Sequence, residues 1–224
     1  MKKLIFGCLL VGVCATWVHG QNFKIQMPLT YNRIPMTDEI PGKEGSPYLS
    51  DKWLPGTILL TNGSKIDGLT YRYSVYRKEM EFQKENTAYA IEAPDSIKEL
   101  WINNRLFIYL AFTNKNKTEK DFFEVVIDGK AKLLIRYVIE TIPANYNEAL
   151  AVGNKNDQIS IKETYYLQKN QETPFRIDKK GNNVVESMSD KSKEMKDFLE
   201  KKKTSFKDKN DLMQLIGYYN RMFK

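Results

Sequence analysis

Residues 56–180 contain one short run after another of β-branched, aromatic and leucine side chains, each ended by turn residues. Thr57–Thr61 and Lys65–Gly68 flank Asn62-Gly63-Ser64. Asn and Gly accept positive φ, so this spacing predicts a hairpin closed by a type I′ turn. Leu69–Val75 continues the second strand. Glu79–Lys84 and Ala88–Glu92 flank a turn, as do Leu100–Ile102 and Leu106–Phe112. Phe122–Ile127 and Ala131–Glu140 flank Asp128-Gly129-Lys130, a second hairpin signal; Ile159–Leu167 and Pro174–Ile177 come last. Leu106–Phe112 is apolar throughout, which predicts a central strand covered on both faces. Many antiparallel strands at this spacing predict a mainly β fold, a meander curled into a barrel-like or sandwich domain. Residues 142–158 read as a long excursion between strands.

The segments on either side are different. Residues 21–55 hold Pro28, Pro35, Pro41, Pro47 and Pro55. Proline removes amide donors and opposes regular ladders, so an extended, irregular arm lying on the domain is predicted. Residues 181–224 switch to a helical period and predict a C-terminal helical tail packed on the β domain. Ser189 or Asp190 is placed to cap a helix with Met195, Phe198 and Leu199 on one face. Asp208 is placed to cap another, whose apolar positions are Leu212, Leu215, Ile216, Tyr219 and Phe223. That face calls for burial on the sheet or over a barrel mouth; a helix lying on a membrane is the alternative.

Residues 1–20 read as a secretory signal peptide: Lys2 and Lys3, an apolar run, then cleavage before Gln21. An uncleaved anchor and a lipoprotein cut before Cys8 or Cys14 are the competing readings. Both cysteines and the single histidine, His19, fall inside this leader. The exported chain would then have no disulfide, no zinc site built on Cys or His, no Cys nucleophile and no Ser-His-Asp arrangement. The lack of cysteine suits a bacterial envelope better than a eukaryotic extracellular space. The formal charge is +7 over 224 residues, and most of the excess lies in residues 189–224, read as a solvated helix face.

Little in the sequence carries chemistry. Hydrolysis without histidine would need paired carboxylates. The candidates are Asp121 with Glu124, Glu79 with Glu81, and Glu92 with Asp95, and a solvated sheet face is the better reading of each. No phosphate loop, metalloprotease helix or calcium loop is present. The sequence therefore implies no catalytic residue, no metal ligand and no cofactor. Asn62-Gly63-Ser64 and Asn116-Lys117-Thr118 fit a glycosylation pattern but read as turns. Asp95-Ser96-Ile97 resembles the sequon at which Bacteroidetes attach O-glycans, with Ser96 as acceptor. Trp53 and Trp101 are candidates for an aromatic contact surface, with core packing as the competing role.

Gly45–Gly56 ("GSPYLSDKWLPG"), Leu69–Phe82, Ala88–Leu100, Phe122–Tyr137 and Asp211–Asn220 together resemble a secreted Bacteroidetes family of unknown function. It has a "GSPYL" arm and strand blocks like "RYN-Y" and "FEVL-G"; this chain has "RYS" and "FEVVIDG" in their places. The resemblance implies lineage and compartment and carries no activity. The combined reading is an exported envelope protein, periplasmic or outer-membrane associated, acting as a non-enzymatic binding or scaffold module. Its partner would be another envelope protein rather than nucleic acid, with peripheral membrane association as an alternative. Two other readings compete: a carboxylate-based glycan hydrolase, and a carrier of an apolar ligand in a β-barrel.

Overall fold

The computed structural model describes residues 28–34, 40–114 and 117–223. The proposed leader with its cysteines and histidine, Pro35 and Asn116 lie outside them. The strands are β1 (Tyr31–Arg33), β2 (Lys43–Glu44), β3 (Leu54–Leu60), β4 (Lys65–Ser74), β5 (Glu79–Lys84), β6 (Thr87–Ile91), β7 (Ile97–Ile102), β8 (Arg105–Asn114), β9 (Lys117–Ile127), β10 (Ala131–Ile142), β11 (Asp157–Lys169) and β12 (Phe175–Arg176). Three helices follow: α1 (Asn182–Ser187), α2 (Ser192–Lys202) and α3 (Lys209–Arg221).

All strands belong to one sheet in the order β1-β6-β5-β4-β3-β7-β8-β9-β10-β11-β12, with β2 added in parallel to β11. The remaining pairings are antiparallel, and the order departs from chain order at β1 and where β3 meets β7. The sheet curls without closing. The predicted mainly β class with a C-terminal helical element is the class observed. The arm contributes β1 and β2, and Leu54 and Pro55 already belong to β3.

The turns differ from the sequence expectation in type. At Asn62-Gly63 only the glycine has positive φ, +84°. Gly63 N–H donates to Leu60 O and Leu60 N–H to Ser64 O, the three-residue loop that ends in a left-handed glycine. The two-residue turn with both residues left-handed lies instead at Glu85 and Asn86, φ 50° and 59°, between paired Lys84 and Thr87. Asn86 tolerates this region readily, and the sheet twist rewards the turn at both positions.

One continuous core fills the concave side of the sheet. Ile58, Tyr71, Met80, Phe82, Leu100, Phe107, Phe122 and Ile135 pack together inside the curl. Val126 and Tyr165 join them to a second cluster formed with the helices. Asp208 caps α3 by accepting from the amides of Asn210 and Asp211 at 2.9 and 3.0 Å. Leu212, Leu215, Ile216 and Tyr219 are fully buried against Ala131, Leu133 and Leu167. The helix therefore closes one end of the concave face. Phe223 departs from the predicted stripe: it is 38% exposed, beside the Lys130 ammonium. Asp190 does not cap α2; its carboxylate takes Lys169 and the Tyr219 hydroxyl at 2.9 Å each.

Candidate functional site

Among the described residues, the buried carboxylates lie in three arginine–carboxylate clusters. Arg72 on β4 and Glu81 on β5 are directly opposite each other and both buried. Arg72 Nε donates to Glu81 Oε2 at 2.9 Å, and its guanidinium also donates to the Tyr48 hydroxyl at 2.8 Å. The same guanidinium lies 3.6 Å from the Tyr48 ring centroid and 4.3 Å from that of Trp53. Arg77 reaches both Glu81 and the Tyr48 hydroxyl. Leu49 N–H donates to Tyr73 O and Val75 N–H to Pro47 O, so residues 47–53 form a roof over the ion pair.

The second cluster joins Asp121, Arg136 and Tyr73: Asp121 accepts from Arg136 Nε at 2.7 Å and from the Tyr73 hydroxyl at 2.8 Å. In the third, Arg105 grips Glu124 with two bonds of 2.9 and 2.7 Å, and the Tyr137 hydroxyl donates to the same carboxylate. Burial pushes the Glu124 carboxyl up, but the bonds from Arg105 and Tyr137 outweigh it and hold the group below 4.5. Burial, followed by the neighbouring Glu124, pushes the Tyr137 hydroxyl far up, so it stays a proton donor.

The carboxylate pairs raised by the sequence do not come together as acid and base. Glu81 is buried in its ion pair, whereas Glu79 is partly exposed and meets Arg77 at 3.3 Å. Asp121 and Glu124 belong to separate clusters. Asp95 pairs with Lys120 at 2.5 Å and Glu92 is exposed. Each buried carboxylate among the described residues faces an arginine. Sequence reading missed this because charged residues in strands read as a solvent face. Ser96 ends a single 3-10 turn, Pro94–Ser96; its hydroxyl donates to Ala93 O at 2.7 Å and is part-buried.

The two tryptophans have opposite fates. Trp53 is held over the Arg72 guanidinium. Trp101 is 41% exposed on β7, its indole donating to Glu99 at 3.3 Å. Across β8 it is paired with Leu106, which is paired in turn with Val125 on β9. Leu106, Ile108, Leu110 and Val125 are half-buried and floor an open groove of about 340 Å³ on the outer face of the sheet, rimmed by Lys98, Glu99, Asp128, Lys132 and two glutamines. β8 is central, but this outer face lacks the full cover predicted for it. Ile108, Leu110 and Val125 pack against a buried cluster of Phe112, Phe123, Leu134 and Tyr166. No group of three or more His, Cys, Asp or Glu side chains suited to a metal occurs among the described residues. None of the described helices is long and apolar enough to cross a membrane.

No family model matches the chain, and neither does any curated protein or solved structure.

Proposed function

We propose that the chain is an exported protein of the cell envelope that works by binding, as a scaffold or adaptor for another envelope protein, and not by catalysis. The observation that carries this reading is the outer face around Trp101: a large exposed aromatic paired with Leu106, one of four half-buried aliphatic side chains that floor the neighbouring open groove. A flat face with an aromatic anchor suits a protein surface better than a small substrate. The arginine–carboxylate clusters support the same reading, because the buried acids Glu81, Asp121 and Glu124 are engaged in holding strands together. The leader supports export, and the resemblance to a secreted Bacteroidetes family supports the compartment.

Two measurements test this. The N-terminus of the exported protein should read Gln-Asn-Phe-Lys, with Gln21 first. Cross-linked capture from the native envelope should retain a specific partner that Trp101→Ala loses while melting unchanged. Equal capture by the variant, or hydrolysis of envelope glycan by the purified chain, would overturn the proposal.

A further inference from the structure

Among the described residues, the outer edge of β11, a strand of 13 residues, is covered only near its ends. At one end β2 pairs with Asp157 and Gln158; at the other β12 pairs with Tyr166 and Leu167. Ile177 N–H donates to Tyr165 O at 2.9 Å, so odd-numbered residues of β11 turn their backbone groups toward this edge. Ile161 and Glu163 therefore point their N–H and C=O outward with no partner strand among the described residues. An open edge of this kind is a template for an added strand.

The gap opens onto a groove of about 260 Å³ whose wall includes Tyr165, Ile177 and Phe206. Lys162, Arg176, Lys179 and Lys207 rim it, all exposed. Lys162 reaches Glu140 at 3.1 Å, whereas Arg176, Lys179 and Lys207 have no carboxylate partner among the described residues. The acids around the groove are engaged. Asp178 accepts the amides of Asn183 at 3.1 Å, Lys180 at 2.7 Å and Gly181 at 2.5 Å. Asp208 caps α3, and Glu163 takes the Tyr165 hydroxyl at 2.9 Å and Lys209 at 3.8 Å. The charges left to meet a partner are positive.

We propose that this edge binds an extended acidic segment of a partner protein, which adds a short strand beside Ile161 and Glu163 and sets its carboxylates against Arg176, Lys179 and Lys207. The surface lies four strands from Trp101 along the sheet, so it does not depend on the function proposed for that face.

The test uses the whole chain and a fluorescent peptide of alternating aspartate and valine. Binding should be followed by anisotropy, and amide exchange should slow at Ile161 and Glu163 on binding. The doubly charge-reversed variant Arg176→Glu/Lys207→Glu should bind at least about tenfold more weakly, with unchanged melting. A peptide with proline in place of the valines should lose binding, because it cannot donate to the edge. Equal binding by the proline peptide would reduce the interaction to diffuse charge attraction and overturn the proposal. So would unchanged affinity in the variant, or concentration-dependent pairing of two copies through β11 in place of peptide binding.

Discussion

The Asn220 side chain joins α3 to the backbone of Ala131 at both of its polar groups. Asn220 Oδ1 accepts from Ala131 N–H and Nδ2 donates to Ala131 O, each at 2.8 Å. Pairing between β10 and β9 begins only at Leu133, so the amide group stands in for a neighbouring strand. Asn220→Ala would leave both buried groups unmet, at about 1–3 kcal/mol each. Urea unfolding should show the loss without a change in slope.

Gly129 makes that contact sterically feasible. Its φ is +153°, and a Cβ there would lie 2.5 Å from Asn220 Nδ2. Gly129→Ala should therefore destabilise the wild type. In the Asn220→Ala background the penalty should shrink, because the clashing side chain is gone. A double-mutant cycle measures the coupling; strictly additive losses would disprove it.

Ile216 is fully buried between α3 and the sheet. Ile216→Ala should cost about 2–4 kcal/mol. Exposed Arg221 and Lys207 on the same tail should tolerate alanine within about 0.5 kcal/mol. Denaturant midpoints for the three variants check both statements.

Breaking the buried pair should free the arm. Glu81→Ala leaves Arg72 charged and buried, a loss of about 3–5 kcal/mol. The Tyr48 and Trp53 roof then loses its anchor. Limited trypsin digestion should cut after Lys52 faster than in the wild type, ahead of cleavage in β9 or β10.

Glu124 makes a pH-dependent contribution. Its carboxyl is held below 4.5 in the folded chain. A depressed folded pKa stabilises the protein above the unfolded value, and the contribution disappears as pH falls through the folded one. The stability gap between wild type and Glu124→Gln should be full at pH 7 and close progressively below about 4.5. Urea titrations across that range measure it.

Much of the fold was legible in local pattern. Alternation placed the strands, and Asp208 with Leu212, Leu215, Ile216 and Tyr219 placed α3, because capping and helical spacing are properties of neighbours in sequence. α1 was not legible: it is short, and the Asp178 carboxylate that gathers its first amides lies outside it. The roof over Arg72 was equally hidden. Its members, Tyr48, Trp53, Arg72 and Glu81, come from three separate segments, and only the fold makes them neighbours. Of the candidate contact residues, Trp101 and Trp53 look alike in sequence. The guanidinium beneath Trp53 is what separates them.

The junction of β3 with β7 bears on how the chain folds. These strands are separated in sequence by β4, β5 and β6, which pair in succession with β3 and with one another. Each of those pairings is local, so forming them first would collapse the loop that β3 and β7 must close. The entropy of closure then corresponds to a short connection, and the sheet acquires this departure from chain order at little kinetic cost.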